Sequence, residues 1–331
     1  MITGTRSSGD VFILVEHLDG KVSDVSYELM GAATKLARAS GGRSVAVLLG
    51  RGAKPLADGL AADAVLVVDD PVLESYTPEA YARTLGALLK SRSPRLLLTS
   101  GTAIGMDQSA GLSAALGWPL AAYAKEVTLA EGRVRAVSQI YGGKILAESR
   151  ADGEHAIVSV LAGAFAAEDG RAAGAPAIEE LAPPAPLQGL RVRFKKLNRP
   201  EGGDVDITKA PILVSVGRGV QSQDNIPLVQ ELADALEAPL SASRPIVDQG
   251  WLPKTRQVGK SGMTVKPKLY IAVGISGAPE HLEGMRGAET IVAINQDASA
   301  PIFGVAHYGV VADLFEVIPA LTAKLKRSPS S

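Results

Sequence analysis

The chain is built around short aliphatic runs that do not alternate with polar residues. "VFILVEH" (11–17), "SVAVLLG" (44–50), "AVLVVDD" (64–70) and "RLLLTSG" (95–101) each hold such a run. A strand with one wet face alternates, whereas an unbroken aliphatic run is buried on both faces, as in a parallel sheet covered by helices. The stretches between them read as helices. "VSYELMGAATKLARAS" (25–40) closes on Gly41 and Gly42, "KPLADGLAA" (54–62) is short, and "TPEAYARTLGALLKS" (77–91) has Thr77 as cap and Pro78 at its first helical position. This βαβαβαβ order predicts a mostly parallel sheet flanked by helices. "AIGMDQSAGLSAALGW" (103–118) continues as a helix. The segment 125–163, from "KEVTLAEGRVRAV" to "HAIVSVLAG", then reads as three or four strands joined by Gly-containing turns, an antiparallel addition at one sheet edge.

At 331 residues the chain exceeds what one core serves well, so two domains are expected. The Ala/Pro-rich stretch at about 166–189 reads as the linker, and "LRVRFKKLNRP" (190–200) as an extended strand of the first domain, giving domains 1–206 and 207–331. The second repeats the pattern. "PILVSV" (211–216), "PLSAS" (239–243), "KLYIAVGISG" (268–277) and "TIVAIN" (290–295) read as strands. "NIPLVQELADALEA" (225–238), "PEHLEGMRG" (279–287) and "DLFEVIPALTAKLKR" (313–327) read as helices.

Charge excludes several classes. Lys+Arg 34 against Asp+Glu 35 leaves a net charge of −1, without the basic excess of a nucleic-acid binder. Cysteine is absent, which removes thiolate metal sites and cysteine nucleophiles. The four histidines (His17, His155, His281, His307) have no metal-site spacing, and neither a catalytic nor a metal site is expected. The N-terminal apolar run is too short for a signal peptide, and uncharged runs elsewhere are broken by Gly or Pro. A cytoplasmic protein without membrane insertion is expected.

Four turns follow strands of the second domain: "GRG" (217–219), "SASR" (241–244), "GISGAPEH" (274–281) and "AINQD" (293–297). Parallel sheets bind ligands outside the carboxyl ends of their strands. "GISGAPEH" also opens a helix, whose first N–H groups attract anions. Between them runs "RQVGKSGMTVKP" (256–267), with Arg256, Lys260, Lys266 and the adjacent Lys268 around glycines and Ser261. It is either a solvated basic loop or an anion cradle.

The run from "SASRPIVDQGW" through "QVGKSG", "GISGAPEHLEGM" and "AINQD" to "VADLFEVIPAL" resembles the FAD domain of the electron transfer flavoprotein alpha subunit family over about 80 residues, and "VFILVEHLDGKVSDVSYELMGAA" resembles its opening. The resemblance implies an adenine-nucleotide-hydrolase-like first domain and a Rossmann-like (DHS-like) FAD-binding second domain. It implies an electron carrier rather than a substrate-transforming enzyme, a heterodimer with a beta subunit, flavoprotein dehydrogenases as donors and a membrane quinone reductase as acceptor. Its FAD contacts fall on Arg218, Ser243, Arg244, Gln257, Val258, Gly259, Lys260, Ser261, Ser276, Gly277, Ala278, Pro279, Glu280, His281, Asn295, Asp313 and Leu314. Lys260-Ser261, Ala278-Pro279-Glu280 and His307 depart from the common Q-V-G-Q-T-G, G-I-S-G-A-I-Q-H and aspartate versions, and resemble the Fix-type branch, which splits electron pairs from NADH between quinone and ferredoxin. The rival of another class is a stand-alone nucleotide-binding enzyme with a DHS-like domain.

Overall fold

The computed structural model describes residues 8–130, 132–141, 145–174, 176–197 and 205–327. The chain divides into two compact units, 1–196 and 197–331.

In unit 1 the strands are β1 (Val11–Leu14), β2 (His17–Leu18), β3 (Lys21–Val22), β4 (Ser44–Gly50), β5 (Ala64–Asp69), β6 (Leu96–Ser100), β7 (Leu120–Ala130), β8 (Arg133–Ile140), β9 (Ile145–Ala151), β10 (Ala156–Val160) and β11 (Ala177–Leu181). Helices α1 (Asp24–Ser40), α2 (Pro78–Arg92) and α3 (Ala103–Leu116) lie between them. Apart from the small β2–β3 hairpin, they form one nine-stranded sheet, ordered β11-β5-β4-β1-β6-β10-β7-β8-β9. Pairing is parallel from β11 to β7 and antiparallel through β8 and β9. The aliphatic runs are its centre: every residue of β1, β4, β6 and β10 is buried. Helix α1 ends as its sequence requires, on Gly41 at φ 68°, a left-handed position that suits glycine.

Four details differ from the sequence reading. The last strand of the expected antiparallel group, β10, returns to the parallel region between β6 and β7, because its uncharged run needs cover on both faces. The stretch read as linker contains β11, which extends the sheet beside β5, and its residues 167–170 form a short 3₁₀ turn against α1. Residues 54–57 form only a 3₁₀ turn, and 190–197 form no strand; 198–200 lie outside the described residues.

Unit 2 contains β12 (Ile212–Val216), α4 (Ile226–Ala235), β13 (Leu240–Ala242), α5 (Arg244–Asp248), β14 (Leu269–Val273), α6 (Pro279–Met285), β15 (Thr290–Asn295), β16 (Tyr308–Val311) and α7 (Leu314–Arg327). Its five strands are all parallel, in the order β13-β12-β14-β15-β16. Helix α4 buries Ile226, Val229, Leu232 and Ala233, and α7 buries Leu314, Ile318 and Thr322, each set lying on one helical face. Each fully buried aliphatic side chain contributes about 1.5–3 kcal/mol. The sheet order reverses between β12 and β14, a topological switch point where two neighbouring strand ends diverge and leave a crevice.

Candidate functional site

That crevice is a cavity of about 730 Å³, the size of a small-molecule or cofactor site. Two glycine turns close its floor. The Gly219 N–H donates to the Gly274 carbonyl at 2.9 Å, and a Cβ on Gly219 would lie 2.7 Å from the Gly274 Cα. Gly274 itself sits at φ 62°. Backbones this close admit only glycine on both sides. The Gly217 and Gly219 amides are therefore spent on backbone carbonyls, and the turn's charged contribution is Arg218. That side chain is exposed, lines the cavity and has no acidic partner among the described residues.

The basic loop folds into a tight hairpin fixed at both sides. Val258 N–H donates to the Ala242 carbonyl, Lys260 N–H to the Glu280 carbonyl at 2.7 Å, and Val265 N–H to the Gly284 carbonyl. Gln257, Val258, Gly259, Lys260 and Ser261 all line the cavity, with Gln257 Nε2 donating to Ser261 Oγ at 2.9 Å. The structure corrects the four-cation cradle. Arg256 donates to the Leu240 carbonyl, Lys266 and Lys268 are not among the lining residues, and of the four cations only Lys260 lines the wall.

Ser243 and Arg244 at the start of α5 line the cavity, as do Ser276, Ala278, Glu280, His281 and Asn295. Arg244 is 65% exposed and reaches Asp248 at 3.2 Å, so it is a solvated ion pair. Helix α6 has seven residues, too short to supply much dipole. What the turn before it offers is backbone: among the described residues the N–H groups of Ser276 and Gly277 donate to no protein acceptor. Gly277 and Pro279 shape this turn without lining the cavity. Asp313 and Leu314 do not line it either: Asp313 Oδ1 accepts from Phe315 N–H, and Leu314 is core. Gln221, Asp248, Gln296 and Asp297 line it and were not singled out by sequence, although Gln296 and Asp297 lie within the "AINQD" turn.

His281 is only 6% exposed, and burial lowers its pKa to about 4, against a smaller upward pull from the Val258 carbonyl. It is neutral at pH 7. Its Nε2 lies 2.9 Å from the Tyr270 hydroxyl, while Nδ1 has no partner in hydrogen-bond geometry. His307 is spent on structure, its Nδ1 accepting from Ile291 N–H.

Unit 1 has its own switch point, between β1 and β6. There Glu16 takes the crevice: its carboxylate accepts hydrogen bonds from the hydroxyls of Ser100 and Thr102, and Thr102 also caps α3. Burial raises the Glu16 pKa, against the lowering effect of Ser100, Thr102 and the Gly105 amide.

An open crevice at the switch point of a parallel sheet, with an unpaired arginine, idle amides and an orphaned buried imidazole nitrogen, defines unit 2 as a nucleotide-cofactor-binding domain. The comparisons with known proteins name the cofactor. Residues 11–186 match the family model described as electron transfer flavoprotein domain, and residues 206–286 match the electron transfer flavoprotein FAD-binding domain. An electron transfer flavoprotein subunit alpha from Syntrophomonas wolfei is 38% identical over 96% of this chain and 99% of its own. One from Mycobacterium leprae is 39% identical over 96% and 98%. A Clostridium saccharobutylicum protein named FixB is 36% identical over 96% of each. A solved thiamin diphosphate-dependent enzyme from Mycobacterium smegmatis aligns with a TM-score of 0.26 at 12% identity, covering 92% of this chain and 55% of that one, which carries no argument. The chain belongs to the electron transfer flavoprotein family, as an alpha subunit, with FAD as its cofactor. The family's alpha subunits work as heterodimers with a beta subunit. No helix among the described residues is long and apolar enough to cross a membrane.

Proposed function

We propose that the unit 2 cavity holds FAD and that the subunit, paired with its beta partner, carries electrons in the cytoplasm from flavoprotein dehydrogenases to a membrane quinone reductase. The observation that supports this most is the set of unsatisfied groups around one cavity: Arg218, the Ser276 amide and His281 Nδ1, with the Gly277 amide next to Ser276 in the same turn. FAD, when bound, supplies the ring that takes up and releases electrons.

The chain's residues bind and tune. The Ser276 and Gly277 N–H groups suit phosphate oxygens, and Arg218 adds a charge that no working pH removes. Ser243, Asn295, Asp313 and Leu314 belong to this proposal as positions the family's motifs point to; of these, Ser243 and Asn295 line the cavity. Gln257 Nε2 already donates to Ser261 Oγ, which leaves the Ser261 hydrogen to donate toward the cavity. Lys260 and Arg244 favour added negative charge, each weakened by a carboxylate neighbour, Glu283 and Asp248. The test is anaerobic titration of the purified complex. Flavin reduction by a reduced dehydrogenase, with reoxidation by a quinone reductase, supports the carrier; an inert flavin contradicts it.

A second reading has one observation in its favour, the FixB relative together with the Lys260-Ser261 and Glu280-His281 wording. It predicts that NADH alone reduces the complex. A simple carrier stays oxidised in NADH.

A further inference from the structure

Beneath the cavity lies a buried polar row that electron carriage as described does not use. Tyr270, in the middle of β14, is fully buried. Its hydroxyl sits 2.9 Å from His281 Nε2 and within reach of the Ser215 and Ser241 hydroxyls on β12 and β13. The imidazole is the only basic nitrogen in this row. Ser241 directs its own hydrogen to the Val214 carbonyl at 3.4 Å, and Ser215 has no partner in hydrogen-bond geometry.

A neutral imidazole carries one N–H and one bare nitrogen, and the partner of one nitrogen decides the state of the other. With the proton on Nε2, two donors would face each other unless the tyrosine turned its hydrogen to a serine, a weaker acceptor than imidazole. With the proton on Nδ1, the hydroxyl donates to the bare Nε2, and Ser215, whose hydrogen is not committed to a carbonyl, lies within reach of the tyrosine oxygen. The tyrosine and the imidazole then pair donor to acceptor, and the ring's hydrogen lies on Nδ1, which has no partner in hydrogen-bond geometry.

We infer that Tyr270 is a positioning residue: it donates to His281 Nε2, fixes the ring as the Nδ1–H tautomer, and so sets a permanent neutral N–H donor in the wall of the FAD cavity. This rests on the reading of that cavity as the FAD site. Burial keeps both partners in the required state, holding the imidazole neutral and the phenol protonated. Ordinary sequence reading passes over Tyr270, because a tyrosine inside a buried strand looks like core.

The test is long-range proton–nitrogen NMR on the complex with the beta subunit, labelled at histidine nitrogens, with the His281 signals assigned by their loss in His281→Asn. The expected pattern is a pyrrole-like Nδ1 and a pyridine-like Nε2. Tyr270→Phe should keep FAD bound, collapse that pattern to an averaged one, and shift the flavin's reduction potential. A wild-type ring with its proton on Nε2 overturns the inference, and so does an unchanged pattern in Tyr270→Phe. Should that variant fail to fold, the wild-type pattern alone decides. A complex that purifies without flavin would overturn the reading of the cavity, while the same spectrum still decides the tautomer.

Discussion

Both units present the carboxyl ends of a parallel sheet at a switch point, and the two crevices have opposite fates. In unit 1 the chain's own carboxylate, Glu16, fills the place where an anion would sit and is held there by Ser100 and Thr102. In unit 2 the corresponding place is open, about 730 Å³, with donors that lack protein acceptors among the described residues. The topology alone does not decide whether such a crevice binds a ligand. One side chain at the end of the first strand does: Glu16 follows β1 and Val15, whereas Gly217 follows β12.

The largest expected effect comes from distorting the glycine turn at the open crevice. Gly277 has φ 83°, and a Cβ there would lie 2.3 Å from the Ile302 backbone nitrogen. Gly277→Val should cost about 3 kcal/mol or more, since a strained left-handed residue and a backbone clash add together. Denaturant unfolding of the complex together with FAD per heterodimer checks this; a variant with native stability and full flavin breaks the comparison.

Opening the closed crevice ranks next. Glu16→Ala leaves the Ser100 and Thr102 hydroxyls without their acceptor and should cost about 2–3 kcal/mol with FAD content unchanged. Glu16→Gln tests the sign of its titration. A carboxyl whose folded pKa is raised binds more protons folded than unfolded. Its contribution therefore falls as pH rises from the unfolded value, 4.5, through the folded one. Unfolding free energies of wild type and Glu16→Gln should diverge over that window, the glutamine variant gaining relative stability at higher pH. Parallel curves would refute the burial of the charge.

Arg218→Ala should weaken FAD retention by about tenfold, roughly 1.4 kcal/mol, while leaving the unfolding midpoint in place, because its guanidinium has no partner to lose among the described residues. Arg244→Ala should do less, under about threefold, because Asp248 and solvent already screen it. Equilibrium flavin release measures both. The reverse order would mean that the Arg244–Asp248 pair opens when the cofactor binds.

What the sequence displayed was whatever depends on local pattern. The aliphatic runs announce the buried strands, Gly41 the end of α1, and the turns after β12, β13, β14 and β15 the cavity wall. Strand β16, "YGVV", is a four-residue stretch split by a glycine and exposed throughout, and β11, "AIEEL", is interrupted by two glutamates, so neither shows the unbroken aliphatic run that marks the buried strands. Lys266 and Lys268 looked equal to Lys260 because a charge count does not reveal which way a hairpin folds. Glu16 and Tyr270 were invisible for a deeper reason: their partners lie 84 and 11 residues away, and only the strand order brings them together.

The contrast between the two crevices is tested most directly by backbone hydrogen exchange on the complex with its beta partner, FAD-loaded against FAD-stripped. The account predicts strong protection by FAD at 217–221, 257–262 and 274–281, with exchange at 14–16 and 100–105 unchanged. Protection at the Glu16 crevice, or none in the three unit 2 loops, would contradict it.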